Sequence, residues 1–133
     1  MIVIDTSALM AILLDEDEAA LFAEKLAASA PVIAAPTKLE LLIVAHGRLG
    51  PNGVSHARAL LHTQLIDVVE WTPALSDAAF QAFLLFGKGQ HPAKLNFGDC
   101  MSYALAKSLN APLLYKGEDF AKTGIKSAAA ASV

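Results

Sequence analysis

At 133 residues with a single cysteine, the chain is long enough to bury one core of its own, and an intramolecular disulfide is excluded. Apolar residues make up 55% and charged residues 17%, which argues against intrinsic disorder and leaves apolar surface to spare for an oligomer. The net charge of -3 gives no overall attraction to a polyanion, so any nucleic-acid binding must come from local basic groups or bound cations.

The opening Met1-Ile2-Val3-Ile4 has no basic stretch before it and is interrupted by Asp5, unlike the hydrophobic region of a signal peptide. No apolar run approaches the roughly 20 residues needed to cross a bilayer. With the lone Cys100, the expectation is a cytoplasmic protein with no membrane partner. Ile2 to Ile4 reads as a buried strand stopped by the polar turn Asp5-Thr6-Ser7. Ala8 to Leu14 follows as a helix, and Ala19, Phe22, Ala23 and Leu26 mark the apolar face of a second. After Pro31, Val32 to Ala35 is a strand, and Pro36 opens a helix carrying Leu39, Leu42, Ile43 and His46 until Gly47 and Gly50 end it.

Pro51-Asn52-Gly53 reads as a turn, Val54 to Leu65 as a helix and Ile66 to Val69 as a short strand. Thr72-Pro73 restarts a helix that runs through Phe86, and the turn formers from Gly87 to Lys94 make a loop. Phe97 to Leu109 is a helix broken by Asn110-Ala111-Pro112, and Leu113 to Tyr115 is a strand leading into Lys116-Gly117-Glu118-Asp119. The tail from Ile125 to Val133 is a candidate edge strand, low in complexity over Ala128 to Ala131. Strands alternating with helices predict an α/β fold with a parallel sheet, one domain spanning 1-133.

In an open parallel sheet, ligands bind beyond the carboxyl ends of the strands, and four acids fall at or near that edge. Asp5 closes the first strand, Glu40 lies in the first turns after the second, Asp99 opens the helix after the glycine loop, and Asp119 follows the last clear strand. Each has a structural use when taken alone. Asp5 is a ready N-cap, Thr37-Lys38-Leu39-Glu40 has capping-box form, Asn96-Phe97-Gly98-Asp99 is a similar reciprocal cap, and Asp119 suits a turn. Together, converging carboxylates repel one another and are driven toward protonation unless a cation compensates. Hard ions such as Mg2+ or Mn2+ prefer these oxygens, whereas zinc calls for closely spaced His and Cys ligands that this chain lacks.

The ordered set of Val3-Ile4-Asp5-Thr6-Ser7-Ala8-Leu9, Glu40, Leu95-Asn96-Phe97-Gly98-Asp99-Cys100 with Tyr103-Ala104-Leu105-Ala106, and Leu113-Leu114-Tyr115-Lys116-Gly117-Glu118-Asp119-Phe120 resembles the successive motifs of PIN-domain ribonucleases of the VapC toxin group. The resemblance spans nearly the whole chain. It implies a three-layer α/β/α domain with a central, mostly parallel sheet. It further implies a Mg2+ or Mn2+ endoribonuclease with Asp5, Glu40, Asp99 and Asp119 as its acidic site and Ser7 as polar support. A homodimeric toxin and a small cognate antitoxin are implied as well. One departure is Ala121-Lys122-Thr123-Gly124-Ile125, where many members resemble Lys-Thr-Asp-Ile, so that Gly124 removes a fifth carboxylate.

The expected chemistry is metal-assisted phosphodiester hydrolysis, with Asp5 and Asp99 as direct ligands. Glu40 and Asp119 bind a second metal, hold waters or serve as general base, roles the sequence leaves undivided. Lys38, Lys94 and Lys116 are the rim cations that, with Ser7, make up the candidate substrate-binding set, and Lys88 and Arg58 rank behind them. Two other classes stay open: a non-catalytic Mg2+-binding receiver-like module, and a DNA-directed nuclease on the same scaffold. Cys100 reads as a small packed thiol rather than a nucleophile, and His46, His56, His62 and His91 as surface, packing or loop residues. Trp71, Phe80, Phe83 and Phe86 read as core or dimer packing, while the helices from Ala8 to Leu26 are core or a groove for an antitoxin helix.

Overall fold

The computed structural model describes residues 1–129. Four parallel strands, β1 (Ile2–Ile4), β2 (Pro31–Ala34), β3 (Asp67–Val69) and β4 (Leu113–Leu114), form one sheet in the order β3-β2-β1-β4. The chain first steps outward from β1 to β2 to β3, then crosses back to lay β4 on the other side of β1. The strand order therefore reverses between β1 and β4, and a crevice opens beyond their carboxyl ends. Pairing of Val3 with both Val32 and Leu113 fixes the centre of the sheet.

The helices α1 (Thr6–Leu13), α2 (Ala19–Ala27) and α3 (Ala35–Thr63) cover one face, and α4 (Pro73–Phe86) and α5 (Phe97–Leu109) cover the other. Side-chain alternation along β1 explains the two cores. Ile2 and Ile4 join Leu9, Phe22, Leu26 and Leu41 on one side, while Val3 joins Leu75, Leu95, Tyr103 and Leu105 on the other. The expected three layers and parallel sheet are present. Among the described residues no helix is long and apolar enough to cross a membrane.

Two expectations need correction and a third is sharpened. The first helical arm of α3 ends at Gly50, as its glycine predicts: φ 72° and ψ -163° there separate two helices across a kink, and Pro51-Asn52-Gly53 forms the first turn of the second arm rather than a turn ahead of Val54. Proline is tolerated there because it opens the helical arm after the bend, where no N–H is required of it. Thr37 does not cap α3: the cap position is Ala34, and the buried Thr37 Oγ1 has no hydrogen-bond partner among the described residues. The tail gives a single parallel bridge, Ser127 against Leu113, in place of a strand, with Leu113 N donating to the Lys126 carbonyl and Ala128 N to that of Leu113. The remainder of the tail lies outside the described residues.

Candidate active site

Asp5 is the first residue beyond β1, and its backbone N–H still donates to the Leu114 carbonyl of β4, so it sits at the reversal point itself. Its carboxylate is buried at 3% exposure and engaged through both oxygens. Oδ2 accepts from Ser7 N at 3.0 Å and Ser7 Oγ at 2.6 Å, which makes Asp5 the N-cap of α1, and Oδ1 accepts from Ser102 Oγ at 2.6 Å. Lys116 N in turn donates to Ser7 Oγ at 3.0 Å. One carboxylate thus ties the ends of β1 and β4 to α1 and α5.

Glu40 reaches the same crevice from α3, with Thr6 Oγ1 donating to its Oε1 at 2.5 Å. Burial pushes its pKa up, the Thr6 hydrogen bond works against that, and the nearby Asp5 charge adds to the rise. Room for this carboxylate depends on Gly98, because a Cβ at that position would collide with it. Asp99 follows as the third residue of α5. Its Oδ2 accepts from Asn96 N at 3.0 Å while Asn96 Oδ1 accepts from Asp99 N at 2.9 Å, the reciprocal capping box read from the sequence. The Asp99 pKa is pushed up to about 6, first by burial and then by the charges of Asp5, Glu40 and Asp119, against the pull of the Asn96 N–H. Asp119 is exposed and does not line the crevice, so its charge reaches Asp99 without joining the cluster.

Asp5, Glu40 and Asp99 line a cavity of about 360 Å³ together with Thr6, Ser7, Arg48 and Lys116. None of the four acids is in a salt bridge among the described residues. Nor do any three carboxylates there stand together as a ready-made ligand group. Glu40 Oε2 and Asp99 Oδ1 accept no hydrogen bond from the protein among the described residues, whereas both oxygens of Asp5 do. This oxygen-only set with uncompensated charge fits Mg2+ or Mn2+, ions held by one or two carboxylates that keep most of their waters, and does not fit zinc.

The cations divide differently from expectation. Lys116 lines the cavity, but its Nζ is bound to Glu16 at 2.8 Å and to Glu18 at 3.5 Å, and the Glu16 hydrogen bond leads in raising its pKa. Lys38 faces away, into a separate recess shared with Arg58. Lys94 is an exposed loop residue with φ 54° that lines none of the cavities described here. Arg48, not singled out from the sequence, lines the acidic cavity: Glu40, Val44 and Arg48 form an i, i+4, i+8 stripe on α3. Thr6 and Ser102 were equally unmarked, although Ser102 stands three residues after Asp99 on α5.

Cys100 is buried, and its thiol is pushed up to about 11 by burial and the Asp99 charge, which leaves it poorly suited to nucleophilic attack. It faces an apolar cavity of about 610 Å³ lined by Trp71, Phe80, Phe83 and Phe97. Phe83, Phe86 and Trp71 pack against the core, whereas Phe80 is exposed. His46, His56 and His62 are exposed, and His91 Nδ1 accepts from Ala93 N at 3.0 Å within the loop.

The PIN domain family matches residues 2–126 of this chain. VapC ribonuclease Mb0640 of Mycobacterium bovis is 42% identical over 128 residues, covering 96% of this chain and 98% of that protein. Ribonuclease VapC of Mycolicibacterium smegmatis is 45% identical over 125 residues, covering 92% and 96%. The crystal structure of Mycobacterium tuberculosis VapC20, a Sarcin-Ricin loop cleaving toxin, superposes with a TM-score of 0.76 at 17% identity, covering 94% of this chain and 96% of that one. That likeness concerns the fold.

Proposed function

Because this chain belongs to the PIN-domain family, with VapC ribonucleases as relatives along nearly its whole length, we propose that it is a metal-dependent endoribonuclease, the toxin of a toxin–antitoxin pair acting in the cytoplasm. The observation that carries this reading is geometric: Asp5, Glu40 and Asp99, brought from three distant parts of the chain, line one crevice, and Glu40 Oε2 and Asp99 Oδ1 there accept no hydrogen bond from the protein among the described residues. Asp99 and Glu40 have oxygens that accept no hydrogen bond from the protein among the described residues, and Asp5 Oδ1, which accepts only from Ser102, keeps a lone pair; these three would hold an Mg2+ or Mn2+ ion, and Asp119 would act through its charge. When bound, the ion acidifies an attacking water and offsets charge developing on the phosphate.

The protein's own part is positioning. Ser7 and Ser102 hold Asp5, Thr6 donates to Glu40, and the Asn96 cap engages Asp99 Oδ2 and leaves Oδ1 without a protein donor among the described residues. Lys116 is freed for phosphate only when Glu16 and Glu18 release it, and Arg48 stands on the rim beside it. The test is cleavage of single-stranded RNA and matched DNA with Mg2+, with Mn2+ and with chelator. Expected are RNA cleavage that chelator abolishes and that Asp99→Asn lowers at least 100-fold, the scale of losing a main transition-state contact. Metal-independent cleavage, or an active Asp99→Asn protein, would overturn the assignment. DNA cut as readily as RNA would move it to the nuclease alternative.

The toxin reading also calls for a second copy and an antitoxin. Leu39 and Ile43 on α3, Phe80 and Leu85 on α4, and Phe97 on α5 are all more than half exposed, an apolar surface of the kind that protein partners cover.

A further inference from the structure

On the far side of α3 from the acidic crevice lies a recess of about 230 Å³ lined by Lys38, Arg58, His62, Leu61, Ile66 and Val68. Buried Leu61 and Ile66 form apolar parts of its wall, and its polar side chains are those of Lys38, Arg58 and His62. No described acid lines it: Asp67, between Ile66 and Val68, lines a different depression with Leu26 and Thr63. Neither Lys38 nor Arg58 is in a salt bridge among the described residues, whereas Lys116 is held by two glutamates. Two uncompensated cations around one acid-free hollow, in a chain of net charge -3, select for an anion.

We infer that this recess is a phosphate subsite that grips the RNA backbone away from the cleaved bond. The inference rests on the ribonuclease reading and adds to it where the strand is held. An acidic crevice repels a polyanion, so affinity must come from cations outside it, by counterion release at contacted phosphates. The location suits this role. Lys38 and Glu40 share the first turns of α3 but leave it on roughly opposite sides, about one helix diameter, ~10 Å, apart. A strand whose scissile phosphate lies at Glu40 is within reach of the recess if it bends around the start of α3. The backbone that carries Arg58 is anchored, since its neighbours Ala57 and Leu61 on the second arm of α3 are core residues.

The experiment measures binding of a fluorescent single-stranded RNA across a salt series, using the Asp99→Asn chain to prevent cleavage. It is repeated with Lys38→Ala plus Arg58→Ala in that background, and with Lys25→Ala plus Lys107→Ala, on α2 and α5, as a control that removes the same number of charges. The expected result is about tenfold weaker binding at low salt and a salt slope lower by about 1.4, two phosphate contacts at about 0.7 each on a single strand, with the control unchanged. A slope and affinity equal to the control's would overturn the subsite while leaving the ribonuclease reading standing. No RNA binding by the Asp99→Asn parent, together with no cleavage by the unmodified chain, overturns both. Unchanged RNA binding with lost binding of a polyglutamate peptide also overturns the subsite and gives the recess to an acidic protein segment.

Discussion

The residues of the crevice are held at a cost to stability that can be measured. The folded pKa of Asp99, about 6, lies above its ordinary 3.8, so its favourable contribution is complete below about 3.8 and is lost as pH rises to about 6. Asp99→Asn is therefore expected to stabilise the metal-free protein at pH 7 by ~1 kcal/mol, discounted for the solvent that reaches this open cavity. Thermal denaturation would show this as a rise of roughly 3 °C, absent at pH 3.5. Added Mg2+ is expected to stabilise the unmodified chain and to leave Asp99→Asn nearly unaffected. A second residue-scale prediction concerns Gly98, whose missing Cβ makes room for the Glu40 carboxylate. Gly98→Ala should displace Glu40 and lower RNA cleavage at least tenfold. In a Glu40→Ala background the same change should cost almost no stability, and a double-mutant cycle in urea would read that difference.

Among the elements, the β-branched runs Ile2–Ile4 and Val32–Ala34 were legible because they are buried on both faces, and α5 was legible because its capping box writes its own start. The break in α3 was legible from Gly50, whereas the start of its second arm was not, since Pro51 is equally at home opening a helix and sitting in a turn. Gly50 sustains that bend at φ 72°, and Gly50→Ala is expected to destabilise by about 1 kcal/mol or more, seen as a lower urea midpoint. The acids were legible for a related reason, because strand ends and helix starts can be read locally and three of the four lie there. Thr6, Ser102 and Gly98 were not, since their roles depend on partners 34, 97 and 58 positions away that only the finished fold brings near. Cation placement was legible only in part: proximity in sequence put Lys38 beside Glu40, but a helix sends residues two apart to opposite sides, and Lys38 lines a separate recess.

At the scale of the whole molecule, the surplus of apolar residues has a visible destination. Phe80 and Phe97, the last 81% exposed, line the apolar cavity together with Trp71 and Phe83. If a second copy covers it, sedimentation of the unmodified chain will give a dimer and Phe80→Glu a monomer with unchanged thermal stability of its α/β core; a monomeric unmodified chain would refute this. The engagement of Asp5 bears on a different kind of question. Its two oxygens receive donors from Ser7 and Ser102; an asparagine there could reverse the Ser102 bond by donating its NH2 to the hydroxyl, whereas an alanine or other apolar side chain would leave the buried Ser102 hydroxyl and the Ser7 N–H without their acceptor. Loss of Asp5 therefore unstitches the fold as well as the chemistry. In a genetic selection for chains that have lost toxicity, survivors with an apolar residue in place of Asp5 should leave little soluble protein, while those altered at Asp99 should accumulate a folded protein still able to occupy its antitoxin.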